Sequence, residues 1–281
     1  MKIILGDNQF FGINHHDLNK ADQDKSKFVH EKSIVNFILN SLNAGLDGFM
    51  INSNQMGYNI INKYKFDSNK EIHYSIPYPH KYAAIINANG MSNMLSYFIK
   101  NTSFYKVLLS LPKYLLTQNL KYLIPIATSL EIPKSLPKGS TVYLQNVVTD
   151  LILGLDKTDI LEYYANDLRK NGYKVGIITL NPLKLDKLIK NSNYLNRSDV
   201  TVCFNINLSG FNVFPSKQDV EKLIVTNKNY NLMGMSIFSS GGAKIKDSID
   251  YIKGLNLSYV VFGSSNIENV KNNFNNLTRL I

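Results

Sequence analysis

Two Gly/Ser turns late in the chain have the composition of a phosphate-binding site. Residues 239–242 (Ser-Ser-Gly-Gly) precede one helical pattern, and residues 263–266 (Gly-Ser-Ser-Asn) precede the next. Glycines allow backbone N–H groups to approach an anion, and a helix N-terminus adds partial positive charge. The alternative is that both turns are ordinary loops whose Ser and Asn side chains cap the following helices. We predict phosphate contacts from Ser240, Gly241, Gly242, Gly263 and Ser264.

Histidine and carboxylate side chains are the candidates for proton transfer. His80 follows a predicted strand, and because imidazole titrates near neutral pH we predict that it is a general acid or base. Asp7 and Asp150 follow other strands and would assist, Asp150 by orienting His80 or by binding substrate hydroxyls. His16 is a further candidate base. Alternatively, His80 is a hydrogen-bonded histidine in a Pro-bounded turn, and Asp150 is a helix cap or a turn residue.

Amide side chains outnumber carboxylates after the predicted strands, and amide N–H groups can stabilise an enolate oxygen. No H-x-H or H-E-x-x-H spacing is present, so no metal site is predicted. The alternative is a metal bound by His15, His16 and Asp7. No predicted strand has a lysine in its middle, which disfavours Schiff-base chemistry. We predict substrate contacts from Asn8, Asn52, Lys81, Asn146, Asn181 and Asn207.

These residues follow short, continuous apolar runs that alternate with helical patterns. Such an alternation predicts parallel strands buried on both faces. We predict a (β/α)8 TIM barrel, in which the active site lies at the carboxyl ends of the strands. A doubly wound open sheet is the alternative, disfavoured because no G-x-G-x-x-G follows the first strand. The predicted strands are 2–6, 48–51, 72–76, 141–145, 175–179, 200–204, 232–237 and 259–262.

Between these strands, apolar residues recur at the spacing of a helix. Pro182 suits the first turn of one helix, and Ser216 and Asn266 suit the caps of two others. Residues 89–140 exceed a normal barrel connection, and we predict a helical insertion between strands three and four, within one domain of residues 1–281. The insertion would act as a lid, an oligomer contact or a surface-binding element. Other predicted helices are 33–44, 159–171, 244–253 and 267–277.

Composition narrows the class of protein. Of 281 residues, 44% are hydrophobic, which is enough for a sizeable core and argues against disorder. No apolar run reaches the ~18 residues that a membrane span needs. The net charge is +10, yet Arg169, Arg197 and Arg279 are the only arginines among 31 cations, so we predict no nucleic-acid partner. The single cysteine, Cys203, is predicted to be buried and inert, and a cytoplasmic location is expected.

Two resemblances add to this pattern. Residues 5–12, 45–50, 210–211 with 215–217, and 235–237 resemble an uncharacterised family of barrel proteins found in archaea and bacteria, which implies the barrel fold over most of the chain. Residues 259–270 are similar to the end of aldo-keto reductases, whose eighth-strand loop holds the cofactor phosphate. This second resemblance implies NADPH as a cofactor. The catalytic set of that family matches poorly, since Asn52 and Gln145 stand where an aspartate and a histidine are expected.

The residues and resemblances leave three functions open. The first is an enzyme that acts on a phosphorylated or nucleotide-linked small molecule, such as a sugar, by isomerase- or lyase-like acid/base chemistry. The second is an NAD(P)H-dependent oxidoreductase of the aldo-keto reductase type. The third is a non-catalytic partner-binding barrel that forms a homo-oligomer or complex through residues 89–140.

Overall fold

The computed structural model describes residues 1–12, 26–78, 104–239 and 244–279. Within them, eight strands form a closed barrel in chain order, and each neighbouring pair is parallel. The predicted (β/α)8 barrel is confirmed, and the alternative of an open sheet is wrong. The strands are β1 Lys2–Leu5, β2 Gly48–Asn52, β3 Glu71–Ile76, β4 Thr141–Leu144, β5 Lys174–Ile178, β6 Val200–Asn205, β7 Asn231–Met235 and β8 Tyr259–Phe262.

Closure of the barrel comes from the pairing of β1 with β8, where Lys2 lies opposite Tyr259 and Leu5 opposite Phe262. Every residue of β2 and of β6 is buried. Helices cover the outer face of each strand and side chains fill the interior, which explains why the apolar runs in the sequence are continuous. The predicted strand bounds differ from the observed ones by one or two residues, as is normal at strand ends.

Ten α-helices occur in the described ranges, and the predicted helices lie within two residues of the observed bounds. Ser216 and Asn266 cap their helices as predicted: Ser216 Oγ accepts the Asp219 N–H at 3.2 Å, and Asn266 Oδ1 accepts the Glu268 N–H at 2.8 Å. The helices are α1 Glu31–Asn43, α2 Gln55–Lys63, α3 Phe104–Thr117, α4 Ile124–Glu131, α5 Asn146–Gly154, α6 Thr158–Lys170, α7 Pro182–Lys190, α8 Lys217–Thr226, α9 Ile245–Lys253 and α10 Ile267–Thr278.

Helices α3 and α4 lie between β3 and β4, inside the predicted insertion, whose residues 89–103 are outside the described part of the chain. Helix α4 is attached to the barrel wall by buried polar contacts. Ser53 Oγ donates to the Glu131 carboxylate, and the Tyr74 hydroxyl donates to the Glu131 carbonyl at 3.2 Å. Thr128 Oγ1 donates to Asp167 of α6 at 2.6 Å. The role of the insertion as a lid or contact stays a prediction.

The barrel interior is a separate buried cluster with a polar group near the amino ends of the strands. His73 Nδ1 lies 2.9 Å from the Tyr143 hydroxyl, and its Nε2 lies 3.3 Å from Glu71 Oε2. Burial lowers the pKa of His73, which favours the neutral ring. Cys203 is buried as predicted, and burial raises the pKa of its thiol. The cluster comprises Ile4, Met50, Tyr143, Ile178, Cys203, Met233 and Val261.

Tight packing of this interior predicts the effect of one added methyl group. A Cβ on Gly176 of β5 would lie 2.4 Å from the Tyr143 ring, so Gly176→Ala should lower the free energy of unfolding by about 1–3 kcal/mol. The control is Gly154→Ala in α5, where a Cβ meets nothing within 4 Å and helix propensity favours Ala. Urea unfolding measures both variants; equal stabilities would contradict the packed interior.

Candidate functional site

Asp7 lies just beyond the carboxyl end of β1 and is a buried carboxyl with a shifted pKa. Its Oδ2 accepts two hydrogen bonds from Asn52, from the backbone N–H at 2.8 Å and from the side-chain Nδ2 at 2.7 Å. Burial raises the pKa of Asp7 to about 6, and the hydrogen bonds from Asn52 oppose part of that rise. A carboxyl group with this pKa can both give and accept a proton near neutral pH.

The Asn52 amide is fixed by its own neighbours. Its Oδ1 accepts the N–H of Asn54 at 2.9 Å, and Asn54 caps α2 by accepting the Gly57 N–H at 2.7 Å. A Cβ on Gly57 would lie 2.1 Å from the Asn52 carbonyl oxygen, so this close approach requires glycine. The start of α2 therefore orients the amide that faces Asp7.

Tyr78 completes this side of the barrel mouth. It follows β3 and is half-buried. Burial and the negative charge of Asp7 both raise the pKa of the Tyr78 phenol, so the hydroxyl stays protonated at neutral pH. Because β1, β2 and β3 are neighbours in the sheet, a carboxyl, an amide and a phenol are gathered at one side of the mouth.

Asp150 lies on the other side of the mouth, where it stabilises a loop. This residue of α5 accepts a hydrogen bond from Thr179 Oγ1 and another from the Leu180 N–H, the latter at 3.0 Å. The two carboxylate oxygens are thus both used by the turn after β5. The structure places Asp150 beside β4 and β5 rather than beside Asp7.

A third group of polar side chains follows β6 and β7. Ser236 Oγ donates to Asn205 Oδ1 at 2.7 Å, and Asn205 Nδ2 donates to the Asn212 carbonyl at 3.0 Å. Asn207 is fully buried, and its amide bonds within its own loop, to Ser209 and to the backbone of Phe211. Asn207 therefore shapes the loop after β6, whereas Ser236 and Asn205 link the ends of two strands.

The turn after β8 contains an exposed glycine beside an unsatisfied acceptor. Gln9 Nε2 donates to the Gly6 carbonyl at 2.7 Å, but its Oε1 is buried and has no hydrogen-bond partner among the described residues. A Cβ on Gly263 would lie 2.4 Å from that oxygen. Ser264 Oγ bonds to the backbone of Asn266. Capping accounts for the Ser and Asn of this turn, while the absence of a side chain at Gly263 lets Gln9 approach the turn closely.

The other predicted site residues that the structure describes lie in turns or at helix ends. Asn8 is exposed in a 3-10 turn, Asn146 begins α5, and Asn181 caps α7 by accepting the Lys184 N–H at 3.1 Å. Within the described residues, no three His, Cys, Asp or Glu side chains are grouped as metal ligands. Six predicted residues lie outside the described part of the chain: His16, His80, Lys81, Ser240, Gly241 and Gly242.

Gln9 and Asn54 shape this geometry but are not among the site residues predicted from the sequence. Gln9 supplies the unsatisfied acceptor, and Asn54 fixes Asn52. Position 54 carries a sequence signal, because Asn three residues before a glycine at the start of a helical pattern is a typical cap. Gln9 carries none, because only the closure of β1 against β8 brings it to Gly263.

The comparisons with known proteins agree with the fold. No protein-family model matches the chain, and no curated protein matches it in sequence. A crystal structure named "the putative aldo-keto reductase" from Pseudomonas aeruginosa has a TM-score of 0.56 at 9% identity, over 98% of this chain and 88% of the other. A second structure with that name and organism has a TM-score of 0.54 at 8% identity, with the same coverage. Identities this low show a shared barrel fold. The resemblance to archaeal and bacterial proteins stays a prediction.

The pKa of Asp7 predicts how stability depends on pH. The folded protein binds this proton more tightly than the unfolded chain does, so stability falls as pH rises from about 4 to about 6. The ionised, buried carboxyl then costs about 3 kcal/mol, because one pKa unit corresponds to about 1.4 kcal/mol. The difference in unfolding free energy between Asp7→Asn and the parent should therefore shift in favour of the variant by about that amount between pH ~4 and pH ~7.

Urea unfolding of the parent and Asp7→Asn at both pH values measures this difference. Asp67→Asn is the matched control, because Asp67 is exposed on the surface. An Asp7→Asn difference that is the same at both pH values would show that the Asp7 carboxyl is not perturbed.

Proposed function

We propose that this protein is an enzyme in which Asp7 transfers a proton to or from a carbonyl-containing small molecule at the barrel mouth. The observation that carries the proposal is the buried Asp7 carboxyl, whose pKa is raised to about 6 and whose position is set by two hydrogen bonds from Asn52. General acid–base catalysis works best when the pKa lies near the working pH. The Tyr78 phenol, protonated and electrostatically coupled to Asp7, is the second proton carrier of this side.

Among reactions of carbonyl compounds, we favour reduction by a nicotinamide cofactor. The two solved structures of the same fold bear the name of aldo-keto reductases, which supports an oxidoreductase over an isomerase or lyase. When bound, the cofactor supplies hydride to the carbonyl carbon. Asp7, in its protonated form, donates the proton that the resulting alkoxide oxygen needs, and the Asn52 amide keeps the carboxyl in place for it.

The turn after β8 suits the phosphate of such a cofactor. Gly263 is exposed, and a side chain at this position would collide with Gln9. The turn has no acidic residue and leads into the N-terminus of α10, where backbone N–H groups favour an anion. The one acidic residue of the first helical turn, Glu268, is paired with Lys271 at 2.8 Å. Gly263 and Ser264 would hold the phosphate.

A second candidate is proton abstraction next to a carbonyl, the isomerase- or lyase-like reaction on a phosphorylated substrate. It rests on the same carboxyl, because a base with a pKa of about 6 is ionised at neutral pH. In this reaction Asp7 removes the proton and needs no cofactor. Exchange of a substrate C–H for deuterium in heavy water, seen by NMR without nicotinamide, identifies this chemistry.

Removal of the Asp7 carboxyl should lower kcat strongly. Asp7→Asn keeps the size of the side chain and can still accept from Asn52, but it cannot exchange a proton, so kcat should fall about 10²- to 10⁴-fold. The control is Asp150→Asn, whose carboxylate serves the loop after β5, and which should keep kcat within a few-fold. The assay is NADPH oxidation over a panel of aldehydes, ketones and sugar phosphates. Normal kcat in Asp7→Asn would reject this role.

Binding of the cofactor is tested separately by thermal unfolding. NADPH at about a hundred times its dissociation constant should add roughly 2.7 kcal/mol of stability and raise Tm. Ser264→Asp should abolish that rise, because a carboxylate beside Gly263 repels phosphate. Ser216→Asp, a matched change at the start of α8, should keep it. A rise in Tm that survives in Ser264→Asp would place the phosphate elsewhere.

A further inference from the structure

Helix α3 presents its apolar residues to solvent rather than to the barrel. Leu116 is 86% exposed, Tyr105 67%, and Leu108 and Leu115 59% each. In contrast, the polar Ser110 of the same helix is buried. This pattern is the reverse of a helix that packs on a core, where the apolar stripe faces inward. We call Tyr105, Leu108, Leu109, Leu115, Leu116 and Leu120 the apolar face.

The sequence around the apolar face carries charge of one sign. The chain contains 21 acidic residues, but residues 72–130 contain no Asp or Glu and include five lysines, at positions 81, 100, 106, 113 and 121. In the structure, Lys121 pairs with Asp159 of α6 at 3.2 Å, while Lys106 and Lys113 form no ion pair with a described residue. Exposed leucines beside lysines that have no ion pair in the described ranges match the interface of a bilayer that contains anionic lipids.

The carboxyl-terminal part of the apolar face, at Leu120, lies at the mouth end of the barrel. Helix α6 leads into the amino end of β5, so its own N-terminus, with Asp159, lies at the end where the strands finish. The Lys121–Asp159 pair therefore brings the segment after α3 to that end. Asn119 Nδ2 also donates to Asp159, at 3.4 Å. A membrane that contacts the apolar face would lie beside the mouth that holds Asp7.

Other occupants of this face fit less well. In the described ranges, no helix has the length and hydropathy required to cross a bilayer, so the segment would lie on a membrane. In the homo-oligomer predicted from the sequence, a second copy of the chain would contact this face with its own apolar face. The lysines of both copies would then lie in one interface, residues 72–130 contain no carboxylate to pair with them, and the nearby Asp159 is already paired with Lys121.

We propose that the apolar face of α3 docks the protein on a membrane surface that contains anionic lipids, with the barrel mouth beside the bilayer. The leucines enter the boundary between headgroups and acyl chains, and Lys106 and Lys113 lie among the anionic headgroups. The docking is independent of the reaction at Asp7. It agrees with the expected cytoplasmic location, because the cytoplasmic leaflet carries the anionic lipids.

Flotation of the full chain with vesicles tests this docking. The protein should float with vesicles of phosphatidylcholine and phosphatidylglycerol and remain at the bottom with phosphatidylcholine alone, and added salt should release it. Leu108→Gln/Leu116→Gln should weaken binding about tenfold or more, because two leucines no longer enter the bilayer. Lys113→Glu should weaken binding about fivefold or more, because it replaces a favourable charge with an unfavourable one.

The matched control is Leu151→Gln/Val225→Gln, at two exposed apolar residues of α5 and α8 that lie outside the apolar face. These changes should leave flotation unchanged, and circular dichroism should show equal folding of all variants. Three outcomes would overturn the proposal: no flotation of the parent with anionic vesicles, parent-like flotation of Leu108→Gln/Leu116→Gln, or, by light scattering without lipid, a dimer that this variant dissociates. The last would assign the face to a second copy of the chain.

Discussion

The hydrogen-bonded pairing of β1 with β8 is the constraint on which the rest of the molecule depends. It joins Lys2 to Tyr259 and Leu5 to Phe262, the two ends of a long chain, and leaves the sheet without an edge. Closure also defines an interior, which is filled by Tyr143, Cys203 and their neighbours. Because this interior is filled, Gly176 of β5 has no room for a methyl group, and a Cβ there would lie 2.4 Å from the Tyr143 ring.

Closure decides which chemistry is available at the mouth. Asp7 and Gln9 follow β1, and Gly263 follows β8, so residues from opposite ends of the chain lie side by side. The neighbouring strand β2 supplies Asn52, whose two hydrogen bonds hold Asp7 in a place where burial raises its pKa. The barrel mouth is therefore asymmetric. The proposed proton-transfer groups lie on the β1–β3 side, whereas Asp150 and Asn207 stabilise loops on the other sides.

The insertion is built differently from the barrel wall. Helix α4 packs on the barrel through Glu131 and Thr128, but α3 turns its leucines outward. An exposed apolar face is costly in water and indicates a contact that the isolated chain lacks. A membrane surface next to the mouth would bring the Asp7 site close to substrates that are carried in or near a bilayer.

The sequence by itself determined the fold class, the strand positions and several caps, because buried parallel strands need continuous apolar runs and helix ends need Ser or Asn. It nominated Asp7 and Asn52 separately, as residues after two strands. Only the tertiary structure decided that they touch, that Asp150 and Asn207 serve loops, and that Gln9 lies against Gly263. The physical reason is that burial, and with it the pKa of Asp7, depends on neighbours brought together by closure of the barrel, and local patterns do not encode those neighbours.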